Sequence, residues 1–226
     1  VVKVASFAGF MKLFSYVFSP LQDFWTPILL IIIVITLFIG NITALLQTSF
    51  KRMLAYSSIS HAGYMLFAII ALGANADSSI LTYGLAYSLA SVAAFAGLIL
   101  VKRSHGSDQF VAFDGLGKSN PLLALVITVA MLSLAGIPLT AGFIGKFMLF
   151  RGAMADYHVI LLVLAVVNAA IGIYYYLRVV VHMYFYPSIT GEDIVVVPTS
   201  FNIVLLVTLV LTALIGIYPD CIISLL

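Results

Sequence analysis

The sequence predicts an all-α polytopic membrane protein of about seven transmembrane helices, one of them discontinuous. Three observations lead there. Of 226 residues, 64% are hydrophobic and 8% charged, with a mean hydropathy of +1.23, whereas soluble domains carry about 25% charged residues. The apolar residues come in runs near the roughly 20 that a helix needs to cross a bilayer, too long for barrel strands. One such run holds Lys146 close to Gly136, Pro138, Gly142 and Gly145. Glycine and proline break helices inside a bilayer where backbone polar groups are put to use.

Seven runs qualify, at 1–18, 25–46, 52–73, 80–101, 121–150, 158–184 and 199–223. The first holds Lys3 and Lys12 and stops at Ser19-Pro20. The third follows Lys51-Arg52 and stops at Gly73 to Ser79. The fourth ends in Lys102-Arg103, and the fifth starts from Ser119-Asn120-Pro121. The sixth stops at Pro187 to Gly191, and the last starts after Pro198. Glycine, proline, asparagine and serine clusters of this kind mark loops. All of 1–226 reads as a single transmembrane domain. The chain opens on Val1-Val2-Lys3 in apolar sequence, with no signal-peptide pattern, and the expectation is that it is part of a longer protein with further helices ahead.

All eight acidic residues (Asp23, Asp77, Asp108, Asp114, Asp156, Glu192, Asp193, Asp220) fall in or beside the breaks. Lys51, Arg52, Lys102, Arg103 and Lys118 mark one side and Asp23 and Asp77 the other. The positive-inside rule then puts the loops at 47–52, 102–120 and 185–198 in the cytoplasm and the C-terminus outside. A net charge of +2 gives no nucleic-acid footprint. One cysteine, Cys221, excludes an internal disulfide framework and a cysteine-ligated cluster. His61, His105, His158 and His182 are scattered, without metal-ligand spacing. No nucleotide fingerprint or paired catalytic carboxylates occur. Gly115-Leu-Gly117-Lys118-Ser119 lacks the spacing of a phosphate loop.

Lys3, Lys12, His61, Lys146 and Arg178 remain as ionisable groups at membrane depth. On the residues alone, Lys146 fits two readings. A continuous helix from Pro121 would carry it about 37 Å, past the hydrocarbon core, where a lysine snorkels to the interface. An unwound stretch near 136–142 would keep it inside, as a charge with a function. His61 lies ten residues beyond Lys51, about 15 Å into the membrane. Ser57, Ser60, His61 and Tyr64 recur every three or four residues and form one polar stripe. Such a stripe either relays protons through the imidazole or ties two helices together. Tyr174-Tyr-Tyr-Leu-Arg178 reads as an aromatic belt with a snorkelling arginine.

Gln47-Thr-Ser-Phe-Lys-Arg-Met-Leu-Ala-Tyr-Ser-Ser-Ile-Ser-His-Ala-Gly-Tyr64 resembles the signature of the antiporter-like subunits of respiratory complex I and its relatives. Leu132-Ser-Leu-Ala-Gly-Ile-Pro-Leu-Thr-Ala-Gly-Phe-Ile-Gly-Lys-Phe147 resembles the broken-helix motif of the same family. Ile171-Gly-Ile-Tyr-Tyr-Tyr-Leu-Arg178 is most similar to the subunit N branch, which includes mitochondrial subunit 2 and its plastid counterpart. The resemblance covers nearly the whole chain.

It implies a fourteen-helix protein of two inverted five-helix repeats. Here 1–18 would be helix eight, about 25–184 the second repeat and about 199–223 the last helix, with the N-terminal half of the fold missing. Lys3 would match the lysine of helix eight, His61 the polar residue of helix ten and Lys146 the lysine of broken helix twelve. Ser57, Ser60 and Tyr64 would support them, and Lys51 would match a family position at the cytoplasmic boundary. A glutamate partner would belong to the missing half, which accounts for the lack of acids here.

The implied function is that of a membrane-arm subunit of NADH:quinone oxidoreductase, a translocase moving protons along a Lys/His/water axis. Because burial and neighbouring charges both change how tightly a lysine holds its proton, such a row responds to distant redox chemistry. NADH, FMN, iron-sulfur clusters and quinone are expected in other subunits, and no cofactor or metal in this chain. Expected partners are other membrane-arm subunits, antiporter-like ones included, together with lipid and protons but no nucleic acid. The expected location is the bacterial cytoplasmic membrane. A subunit of a multisubunit cation/proton antiporter or membrane-bound hydrogenase, and a non-conducting scaffold, are the alternatives.

Overall fold

The computed structural model describes residues 2–71, 76–155, 159–188 and 194–223. Helices α1 (Val2–Tyr16), α2 (Gln22–Leu45), α3 (Phe50–Ala71) and α4 (Ala76–His105) come first. The short α5 (Leu116–Ser119), then α6 (Pro121–Ala135), α7 (Ala141–Ala155), α8 (Val159–Phe185), α9 (Thr199–Ile217) and α10 (Asp220–Ile223) follow. Among the described residues, five helical stretches are long and apolar enough to cross a membrane: Ser19–Leu45, Phe50–Ile70, Ala76–His105, Val159–Phe185 and Thr199–Ile217. The other two expected spans are shorter. α1 has 15 residues, and the run at 121–150 divides into α6 and α7 of 15 residues each. The last run stops at Ile217, just before Pro219, and resumes as α10. Asp156, His158, Glu192, Asp193 and the 73–75 part of the third break lie outside the described residues.

The expected discontinuity is present and shorter than 136–142: the chain is unwound over 136–140. Gly136 adopts the left-handed conformation (φ 83°) that ends α6, and its N–H reaches the Leu132 and Ser133 carbonyls. This is the usual glycine stop of a helix. Leu139 also has a positive φ of 70°. Gly142 lies already within α7.

Polar and apolar residues are arranged inside out relative to a soluble protein. Ile28, Ile31, Ile35, Ile39 and Ile42 of α2 and Val163, Val166 and Val167 of α8 are exposed, while Asn41, Ser57, Ser60, His61, Ser133, Lys146 and Asn168 are buried. Lipid imposes no cost on an apolar outer face, so polar groups collect where helices can satisfy them. Two apolar clusters fill the bundle. One contains Phe50, Met53, Val101, Phe113, Ile127, Met131 and Val179. The other contains Trp25, Ile33, Leu37, Met65, Phe67, Ile80 and Leu149.

The first cluster is closed by a woven loop layer. Phe50 N–H donates to Asp108 O (2.8 Å) and Phe110 N–H to Thr48 O (3.0 Å). Asn120 pairs with Val195 in both directions (3.0 and 2.7 Å), and His182 Nδ1 meets Asp114 Oδ1 at 2.6 Å. The segments around 48, 106–120 and 195 therefore stand at one end of the bundle, beside the basic residues expected to share a side.

Candidate functional site

Close helix contacts create the site. A Cβ on Gly40 would lie 2.6 Å from Ser60 N, so α2 packs hard against α3. One on Gly145 would lie 2.9 Å from Tyr83 Cα, so α7 packs against α4. The two halves of the broken helix are fastened head to tail. Gly142 N–H donates to Ser133 Oγ at 3.1 Å, and a Cβ on Gly142 would fall 1.8 Å from Ser133 O. Only glycine lets α7 begin against the end of α6.

Lys146, in the second turn of α7, is 7% exposed. It does not snorkel outward but turns back toward α6, where Nζ donates to Leu134 O (3.1 Å) and Ala135 O (2.8 Å). These are terminal carbonyls of a helix, whose C-terminal end carries roughly half a negative charge. The ammonium also stands 4.9 Å from the centroid of the Tyr64 ring, a cation–π distance. The lysine stem crosses Gly136, where a Cβ would come within 2.8 Å of Cδ and 3.1 Å of Nζ. An ammonium has three N–H donors, and among the described residues two find acceptors. A gap of about 10 Å³ adjoins it, lined by His61, Tyr83, Ala86, Tyr87, Ser133, Leu134 and Gly142 as well as Lys146. That volume is about what one water requires.

His61 is 3% exposed, and both ring nitrogens are engaged: Nδ1 with Tyr83 Oη at 2.6 Å and Nε2 with Tyr176 Oη at 3.0 Å. The four residues of the polar stripe are all buried, as their spacing implied. Ser57 and Ser60 hydroxyls donate to Leu54 O and Ser57 O of their own helix, and Tyr64 Oη donates to Ala165 O (3.3 Å). Lys3 is half-buried, donates to Ser58 O at 2.6 Å and lies 5.8 Å from the Tyr87 ring. The Tyr87 ring is in turn 4.8 Å from the His61 ring. Lys3, Tyr87, His61 and Lys146 thus form one continuous file across α1, α4, α3 and α7. Lys51 is exposed in the first turn of α3, away from this file, and Lys12 is exposed on α1.

Four tyrosines of the site, Tyr83, Tyr87, Tyr175 and Tyr176, were not among the candidate residues. Of the tyrosines expected in an aromatic belt, Tyr174 is 64% exposed, whereas Tyr175 and Tyr176 are 1% exposed and turn into the bundle. Tyr175 Oη donates to Asn41 Oδ1 at 2.8 Å, and Asn41 Nδ2 donates to Asn168 O and Oδ1, each at 3.2 Å. Arg178 does not snorkel into lipid either. It donates to Gln47 O at 3.2 Å and stacks 4.7 Å from Phe110. Among the described residues, no three His, Cys, Asp or Glu side chains are grouped to hold a metal.

Residues 1–172 match the family described as NADH:quinone oxidoreductase/Mrp antiporter, transmembrane. NADH-quinone oxidoreductase subunit N of Trichlorobacter lovleyi is 43% identical over 98% of this chain and 46% of its own length. Subunit N 1 of Solibacter usitatus is 38% identical over 96% and 45%. The chain spans about half the length of the curated relatives it matches. A chain of Thermus thermophilus respiratory complex I with bound aureothin superposes with a TM-score of 0.78 at 35% identity, over 88% of this chain and 45% of that one. A chain of the Mrp complex from a Dietzia species superposes at 0.87 with 18% identity, over 98% and 49%, and shares the fold. The lysine-bearing broken helix and the polar file thus stand on a known scaffold, and the chain belongs to the NADH:quinone oxidoreductase/Mrp antiporter transmembrane family.

Proposed function

We propose that this chain is the proton-conducting second half of a subunit N-type membrane-arm protein of a bacterial NADH:quinone oxidoreductase. Lys146 and Lys3 would exchange protons through His61. Redox chemistry in other subunits, which hold NADH, FMN, iron-sulfur clusters and quinone, would drive the exchange. The reading rests on one observation: a buried ammonium held by two helix-end carbonyls, its third N–H without an acceptor among the described residues, stands beside a water-sized gap that His61 also lines. A proton leaving Lys146 crosses that gap toward the imidazole and continues past Tyr87 to Lys3. Other antiporter-like subunits would receive it beyond Lys3, and Lys146 would face the outer half-channel. Identities of 43% and 38% to subunits named N favour this reading over a cation/proton antiporter subunit.

The test is Lys146→Ala in the complete complex, with proton uptake into inverted vesicles measured per NADH oxidised. Pumping should fall about tenfold or more, the scale of losing a proton-transfer group, while assembly is retained. Lys146→Arg keeps the charge but effectively never deprotonates, so it should fail similarly. Normal pumping by assembled Lys146→Ala would sink the proposal, and a scaffold role would remain.

A further inference from the structure

The broken helix carries a second unusual residue besides Lys146. Residues 137–140 form a turn with Pro138 second and Leu139 third, and Leu139 stands at φ 70°. A turn with a left-handed third residue favours glycine there, because a Cβ is strained in that conformation. Nothing within the chain offsets that strain through packing, since the Leu139 side chain is 71% exposed. The Leu139 carbonyl is held against α9, where a Cβ on Gly216 would lie 2.3 Å from it. Pro138 beside it is exposed as well.

The turn also lies deep within a span. Ala141, the first residue of α7, packs with Ala86 of α4. Ala86 is ten residues, about 15 Å, from the start of a helix long and apolar enough to cross a membrane. Half of a hydrocarbon core is also about 15 Å. Irregular backbone at that depth is tolerated only inside protein or along a water-filled cavity. Proline and leucine side chains do not line a water cavity. Lipid tails hold no acceptor for the Leu139 N–H, which meets none among the described residues. That leaves protein.

We infer that the turn at 138–139 is an interface with a transmembrane helix of a neighbouring subunit. That helix packs on the Leu139 side chain and brings a hydroxyl or amide oxygen to the Leu139 N–H. The strained leucine is then the knob of a contact made only in the assembled complex. This surface presupposes the multisubunit membrane arm proposed above, but not its proton path. On the same reading the other half of the subunit joins through α1, which packs on α3 and α4. The turn is flanked instead by α6, α7 and α9, which favours another subunit as the occupant.

The test places a photoreactive benzophenone amino acid at position 139 of the complete complex in membranes and identifies the adduct by mass spectrometry. A cross-link to a transmembrane segment of another membrane subunit is expected. Adducts to lipid alone, or within this subunit alone, overturn the inference. Leu139→Gly decides the question even if the bulky probe blocks assembly. Glycine relaxes the left-handed turn, so a leucine that acts only within its own chain predicts a complex as robust as wild type, or more so. An interface leucine predicts the opposite sign. The subunit should leave the complex in mild detergent about fivefold faster or more, the scale of truncating an interface side chain that matters. Leu139→Met keeps the apolar bulk and should stay near the wild-type rate. An unchanged or slower loss in Leu139→Gly overturns the inference. Neither readout involves pumping, so this proposal and the Lys146→Ala test fail separately.

Discussion

Gly136→Ala isolates what the helix break does for Lys146. Two consequences are built into the position. At φ 83° an alanine meets left-handed backbone strain of about 1–2 kcal/mol. Its Cβ would also stand 2.8 Å from Lys146 Cδ, about 1 Å inside an ordinary carbon–carbon contact. The lysine tail is flexible, so it yields, and a shift of about 1 Å takes Nζ out of hydrogen-bond reach of one or both carbonyls now at 2.8 and 3.1 Å. Each charged hydrogen bond contributes about 1.5–3 kcal/mol. Gly106→Ala supplies the control: φ is 69°, and nothing lies within 4 Å of its Cβ. Both variants should lose about 1–2 kcal/mol through strain, and Gly136→Ala should lose more. Heat inactivation of the solubilised complex reads the first effect, and proton uptake per NADH oxidised in inverted vesicles reads the second. Pumping should drop sharply in Gly136→Ala and stay at the wild-type level per assembled complex in Gly106→Ala. If the two variants pump alike, Lys146 does not depend on the carbonyls of the break.

Two further substitutions probe the surroundings. A Cβ on Gly216 would lie 2.3 Å from Leu139 O and 2.6 Å from Thr140 Cα, so Gly216→Ala has to push α9 off the break. It should cost about 1–3 kcal/mol and lower the yield of intact complex on native gels, and a wild-type yield at raised temperature would count against that packing. Asp114→Ala leaves His182 without its carboxylate and loosens the 106–120 loop, whose Lys118 is exposed. Trypsin should cut there roughly five- to thirtyfold faster, the equivalent of about 1–2 kcal/mol of local stability. An unchanged rate would mean that Asn120, Phe110 and Phe113 hold the loop unaided.

The helices were legible because apolar length and loop punctuation are local signals. The stripe Ser57, Ser60, His61 and Tyr64 was legible because spacings of three and four put residues on one helix face whatever surrounds it. The depth of Lys146 was not. Whether Lys146 is buried in the bundle depends on where the chain runs after Gly136, and the αL stop and the return of α7 against Ser133 bury it. Tyr175 and Tyr176 were misread because tyrosines near a helix end look the same whether they meet headgroups or a buried imidazole. Their neighbour Gly172 and the lone amides Asn41 and Asn168, each within a long apolar run, were the available signals. A polar amide inside such a run needs a partner on another helix, and here each is the other's. Tyr83 and Tyr87 are four apart on α4; Ala86 between them packs with Ala141 of α7, while Gly84 turns to Val4 of α1. Pairing across three helices leaves no mark in any one of them.

The break and the lysine work as one device because of what compensates the charge. A carboxylate partner would hold the ammonium as an ion pair with a full opposite charge. Helix-end carbonyls present about half a charge, and they can neither take the proton nor leave with it. Among the described residues all acids stand at the ends of the bundle, so within this half nothing but backbone and aromatic faces holds Lys146. In the proposed relay, that compensation keeps the ammonium buried yet leaves its proton exchangeable. On the proposed reading, an acid brought near Lys146 should therefore impair transport instead of aiding it. Ser133→Asp is the sharp form of this expectation. Its carboxylate would stand beside the gap that the serine now lines, and pumping should fall although the total charge of the site is better balanced. Undiminished pumping by an assembled Ser133→Asp complex would show that the half-charge of the broken helix is not what keeps the proton exchangeable.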